Sequence, residues 1–208
     1  MPEQGVAALE RIVRDAQADG RLPSLSAAAF RRGEVLWQLA IGVADAETGE
    51  ETTPEHQYRV ASITKTFVAA SIFQLRDAGL LDLEDPLARH VPEAAHGEPT
   101  LRRMLSHLSG LQREPPGEIW ETLKAPSREE LLERLPEAEQ VLPPHEAWHY
   151  SNLAYALLGE VVARVSGTEL ERYVEPYSDA VSPEAEMTMG GTNAAGGLWS
   201  TTNDLARW

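Results

Sequence analysis

Lys65 stands three residues after Ser62 at the head of an apolar run, in a chain with two lysines against sixteen arginines. A guanidinium stays charged at any ordinary pH, whereas a buried lysine shifts its pKa readily and can serve as a base. Positions i and i+3 share a helix face, so the Lys65 amine can reach the Ser62 hydroxyl. Those types at that spacing suit a serine nucleophile activated by a lysine. The same spacing also suits an N-capping serine followed by a surface lysine. A single Ser-x-x-Lys arises by chance in about one such chain in ten.

A second pair lies far along the chain. Tyr150 and Asn152 flank Ser151 just before an apolar helical stretch. Two side chains two apart on a loop can both enter a cleft. The phenol can pass a proton, and the amide can bond a substrate carbonyl or hold the lysine. Alone, Tyr-x-Asn also fits a packed tyrosine and a helix N-cap. Both motifs in order, separated by a helical block, carry more weight.

The elements that must position these residues read as follows. Val6, Leu9, Ile12, Val13 and Ala16 recur at helical spacing before Gly20, a helix stop. Leu25–Arg31 and Val35–Ala44 flank Arg32-Gly33-Glu34 and predict a β-hairpin. From Ser62 to Ala78 the apolar residues fit no single narrow stripe, which predicts a helix buried on most sides. Thereafter helices alternate with proline-containing loops: Thr100 and Ser127 can cap two of them, and Asn152–Val165 forms another. The order predicts an α+β fold: a sheet domain of residues 1–79 with 190–208, and a helical insertion of residues 80–189. Thr201 and Asp204 begin a capped helix that stops after about one turn, which suggests further chain beyond it.

Composition narrows the function. The 208 residues are 42 % hydrophobic and 25 % charged, as in ordinary globular proteins. A net charge of −15 argues against nucleic acid and anionic membranes as partners. With no cysteine, disulfides and thiolate chemistry are excluded. The first residues are acidic where a secretion signal would be basic, so a cytoplasmic location is expected.

The chain resembles the serine β-lactamase and penicillin-binding-protein superfamily, in its class C-like branch with esterases and D-amino-acid peptidases. Val60–Phe67 is similar to the nucleophile motif, and Leu81–Pro86 to the linker after its helix. Met104–Leu111 is similar to a His-x-Ser-Gly loop, Trp148–Asn152 with Leu157-Leu158-Gly159 to the second motif, and Ala195–Thr201 to a late Gly-Gly loop. The resemblance implies an antiparallel sheet flanked by helices with an all-helical insertion. It also implies Ser62 as acylated nucleophile, Lys65 as its base, Tyr150 as proton relay and Asn152 as partner of substrate and lysine. The expected substrate is a small ester, amide or β-lactam, with no cofactor and no metal. His107 and Ser109 read as a turn held by hydrogen bonds.

One motif is absent. The superfamily's Lys/His-Thr/Ser-Gly strand has no counterpart, since no lysine follows Lys124 and no histidine follows His149. That strand carries one of two oxyanion donors, and losing one donor costs about 10²–10³ in rate. The expectation is an incomplete, impaired member unless a complementing segment or second chain supplies the strand. Two rival readings follow. A non-catalytic binding module would keep the cleft without turnover. His145-Glu146-x-x-His149 spells a zinc-peptidase signature with Glu169 as candidate third ligand, although Pro143-Pro144 would confine it to a helix's first turn. No Gly-x-Ser-x-Gly elbow occurs, which disfavours an α/β-hydrolase.

Overall fold

A computed structural model of the chain describes residues 2–122, 124–170, 173 and 190–208. It divides into two compact units, Met1–Tyr58 with Ser200–Trp208, and Arg59–Trp199.

In the first unit, helix α1 (Glu3–Asp19) ends where the Gly20 N–H donates to the Ala16 carbonyl and the Arg21 N–H to the Ala18 carbonyl. Strands β1 (Ser24–Arg31) and β2 (Glu34–Asp45) pair antiparallel from Ser24 opposite Gly42 to Arg31 opposite Glu34, with an irregularity at Ala29/Phe30. The two-residue turn has positive φ at both Arg32 (55°) and Gly33 (77°), the conformation whose twist matches the strands it joins. Strand β3 (Glu50–Glu51) adds to the far side of β2.

The second unit carries the motifs. After β4 (Tyr58–Arg59), a 3₁₀ turn at Ala61–Ile63 leads into helix α2 (Thr64–Asp77). Short helices α3 (Leu87–His90), α4 (Leu101–Leu105), α5 (Ile119–Thr122) and α6 (Arg128–Arg134) precede α7 (Asn152–Ser166). The chain then reaches α8 (Asn193–Gly196), β5 (Trp199–Ser200) and, in the first unit, α9 (Thr202–Arg207). The expected caps form. Thr100 accepts from Arg103 N–H, and Ser127 closes a reciprocal capping box with Glu130. Thr201 likewise accepts from Asp204 N–H.

Helix α7 is the core of this unit: every residue from Leu153 to Val162 is buried. It packs on α2, α4 and α8. Its one buried acid, Glu160, accepts two hydrogen bonds from Arg128 at 2.7 and 2.6 Å and a third from Arg164 at 2.5 Å. Helix α2 corrects the expectation of burial on most sides. Its buried residues (Thr64, Lys65, Phe67, Val68, Ser71, Ile72, Leu75) share one face, while Phe73 is exposed. Because that face packs on α7 and α8, the nucleophile helix groups with the helical block instead of with the sheet. The two compact units divide near residue 58, and residues 174–189 of the expected insertion lie outside the described residues.

Two contacts hold α7 in place. A Cβ on Gly159 would sit 2.4 Å from Ala194 Cβ, so the missing side chain lets α8 lie against α7. Alanine normally favours a helix over glycine by about 1 kcal/mol. Here the clash outweighs that gain, and Gly159→Ala should destabilise by about 1–3 kcal/mol in a denaturant titration. Second, His107 Nδ1 accepts the Ser151 N–H at 3.1 Å, fixing the residue that caps α7. Burial, then the charges of Lys65 and His149, push the His107 pKa from 6.5 to about 4. Between pH 6.5 and about 4 the unfolded ring binds a proton that the folded one does not, so stability from this group is present above 6.5 and lost as the pH falls. Thermal melts should show wild-type Tm dropping more steeply over that window than the Tm of His107→Phe.

Candidate active site

Ser62 is placed by backbone strain and a helix end. Ala61, just before it, has φ +45°, a left-handed conformation costly for a residue with a Cβ. Ser62 itself is exposed, in the 3₁₀ turn that feeds α2. Its hydroxyl thus lies before the positive end of a 14-residue helix, which favours developing negative charge nearby.

Lys65, one turn later, is 6 % exposed. Its Nζ donates to Asn152 Oδ1 at 2.8 Å, to the Ala195 carbonyl at 2.5 Å and to Ser62 Oγ at 3.3 Å. Tyr150 and Tyr155 present their rings 5.0 and 5.5 Å away. Burial lowers the Lys65 pKa below 10.5, with Arg113 acting in the same sense and Tyr150 and Glu114 opposing. Tyr150 OH donates to Ser62 Oγ at 2.8 Å. Burial resists ionisation of that phenol, but Lys65, Ser62 and Arg113 together hold its pKa below 10. The four residues expected from the sequence, Ser62, Lys65, Tyr150 and Asn152, therefore meet around one amine, with the Tyr150 hydroxyl also on Ser62 Oγ.

The surrounding elements explain the placement. The Leu198 N–H donates to the buried Thr64 Oγ1 at 3.2 Å, and the Val60 N–H to the Leu198 carbonyl at 2.9 Å. These bonds tie the Gly-Gly loop to the nucleophile turn and set the Ala195 carbonyl over Lys65. Across the cleft, Arg113's carbonyl accepts the Asn152 and Leu153 N–H groups that begin α7. The His107 ring stacks on Tyr150, centroids 4.4 Å apart, and backs the phenol. Gly110 has φ +73°, and a Cβ there would meet the Leu142 carbonyl at 2.0 Å, so only glycine fits this crossing. Ser109 is buried, with its Oγ receiving the Leu111 N–H at 3.4 Å. His107 and Ser109 thus hold the turn together.

Sequence reading missed three participants: the Ala195 carbonyl, Thr64 and Glu114. Both Glu114 oxygens accept from Asn152 Nδ2, at 2.9 and 3.0 Å. Nothing marks this acid among 33 in the chain. A backbone carbonyl leaves no sequence signal at all.

The zinc reading does not match the geometry. Residues 144–146 form a turn, with His145 at φ +78°, and no helix runs through 145–149, so the two imidazoles share no helix face. Among the described residues no three His, Asp or Glu side chains are grouped to hold a metal ion. No helix among them is long and apolar enough to cross a membrane.

The described geometry is an acceptor-lined amine beside a serine hydroxyl. A family model described as Beta-lactamase matches residues 9–177. The chain is 30% identical over 246 aligned positions to Beta-lactamase-like protein 2 of Dictyostelium discoideum, covering 96% of this chain and 44% of that protein. It is 33% identical over 187 positions to Esterase EstB of Burkholderia gladioli, covering 81% and 47%. The octameric penicillin-binding protein homologue from Pyrococcus abyssi superposes with a TM-score of 0.80 at 26% identity, over 97% of this chain and 55% of that one. The chain thus spans about half the length of the curated relatives it matches. Its α+β fold is β-lactamase-like, and the chain belongs to the beta-lactamase family.

Proposed function

We propose that this chain carries the acylation centre of a serine hydrolase acting on small carboxylic esters or amides. The observation that carries the reading is the set of partners around Lys65. A neutral amine has two N–H donors and one lone pair. Asn152 Oδ1 and the Ala195 carbonyl can only accept, so they take the two donors. The third neighbour is Ser62 Oγ: the ammonium donates its third N–H there, and once that proton is lost the lone pair faces the same oxygen.

In this reading Ser62 Oγ attacks the substrate carbonyl carbon as its proton passes to Lys65 Nζ. The Ser62 amide faces the developing oxyanion. As the C–O or C–N bond breaks, Tyr150 gives its phenol proton to the leaving group and recovers one from the Lys65 ammonium. Water then attacks the acyl carbon, the acid departs and the Ser62 hydroxyl is restored. The esterase among the relatives supports an ester substrate. These 208 residues hold no Lys/His-Thr/Ser-Gly segment. On one oxyanion donor the chain reacts about 10²–10³ slower than a two-donor site, and a segment bringing the second donor restores the rate.

A fluorophosphonate probe tests the centre without requiring turnover. Wild type should be phosphonylated at Ser62, and Ser62→Ala should not. Lys65→Arg should label at least about 100-fold more slowly, since arginine cannot take the proton. Equal labelling of Lys65→Arg and wild type would remove Lys65 from its role. Absence of labelling in the folded wild type would leave a binding module in place of an enzyme.

A further inference from the structure

Glu114 is not used by the acylation steps above, yet it contacts the one side chain whose orientation decides where the lysine lone pair points. An asparagine amide has an accepting end and a donating end. Asn152 presents Oδ1 to Lys65 and Nδ2 to both carboxylate oxygens of Glu114. A carboxylate can only accept, so Nδ2 is the end that must face it. Turned over, the amide would set its oxygen against the carboxylate and donate Nδ2 into the amine's lone pair. That lone pair would then be lost to Ser62.

The carboxylate is itself held. Arg113 Nε lies 3.3 Å from Glu114 Oε1, and Gln112 Nε2 donates to the Glu114 carbonyl at 2.7 Å. Gln112 is anchored in turn: its Oε1 accepts the Glu139 N–H at 2.6 Å, and its carbonyl accepts Ser151 Oγ–H at 2.8 Å. The acid thus sits on a braced loop with its side chain 25% exposed.

We propose that Glu114 is a positioning residue: by holding Asn152 Nδ2 it keeps Oδ1 on Lys65 and leaves the amine's lone pair directed at Ser62. This rests on the acyl-transfer reading above. It requires an acceptor-only group at position 114. Glutamine can offer either end of its own amide and so permits both orientations of Asn152, while alanine imposes neither.

The chain's two lysines make the test direct, because protein labelled with ¹³C at lysine Cε gives two signals and Lys124→Arg assigns them. Charged and aromatic groups facing Lys65 are Tyr150, Tyr155, His107, Arg113 and Glu114. Removing Glu114 removes both a stabilising charge and the oriented acceptor, so Lys65 should titrate lower in Glu114→Ala than in wild type. Glu114→Gln should fall between them. Phosphonylation of Ser62 should slow by about 10–100-fold in Glu114→Ala, as for a base misplaced by about an ångström, and by less in Glu114→Gln. In an Asn152→Ala background the further change Glu114→Ala should cost less than about threefold, because the two residues act through one bond. Lys65 titration and labelling unchanged in Glu114→Ala, or an equal loss with Asn152 already removed, would overturn the proposal. If the wild type takes no label, the hydrolase reading fails by itself, and the role of Glu114 is decided by the Lys65 titrations of Glu114→Gln and Glu114→Ala, which remove the same charge: a lower value in Glu114→Ala supports positioning, and equal values overturn it.

Discussion

One buried amine with two fixed acceptors sets the terms for everything around it. Lys65 Nζ is held by an amide oxygen from the start of α7 and a carbonyl from α8. In a low-dielectric setting such groups interact more strongly than in water, and an amine there gives up its proton more easily. The burial that lowers the lysine pKa is the same burial that makes its hydrogen-bond geometry matter. A solvated lysine at this position would have no directed lone pair and no reason to be neutral.

The architecture follows from holding those two acceptors still. Helix α7 is buried along ten consecutive residues, so its first residue, Asn152, starts from a rigid base. The loop from His107 to Glu114 grips that start four ways: through His107 on the Ser151 N–H, Gln112 on the Ser151 hydroxyl, Arg113 on the first helical amides, and Glu114 on the Asn152 side chain. On the other side, Gly159 allows α8 to touch α7, and Thr64 pins Leu198 so that the Ala195 carbonyl reaches the amine. Strain at Ala61 is stored where a strained residue can expose the nucleophile.

How much of this was legible depended on whether a feature lives in side-chain type or in backbone course. Ser62, Lys65, Tyr150 and Asn152 were readable because two motifs, each weak alone, stand in order around a helical block. The hairpin around Arg32-Gly33 and the caps at Thr100, Ser127 and Thr201 were readable because turn and cap chemistry is local. The one-sided burial of α2 was hidden by small alanines on its outer face, which blur an apolar stripe without being buried. The division near residue 58 was hidden because packing of α2 on α7 is a contact between distant segments. Glu114 looked like any acid of a strongly acidic chain, and the Ala195 carbonyl belongs to the backbone. His145-Glu146-x-x-His149 was disfavoured from Pro143-Pro144 alone, and its residues take no helix.

If Lys65 is the base, the rate of Ser62 phosphonylation must follow the ionisation of that one amine. The decisive measurement is the pH profile of phosphonylation in wild type, set beside the NMR titration of Lys65 in the same sample. The two midpoints should coincide, and both should lie below the ordinary lysine value of 10.5. A labelling rate that is flat through the Lys65 titration, or that rises at a different pH, would contradict the assignment of the base.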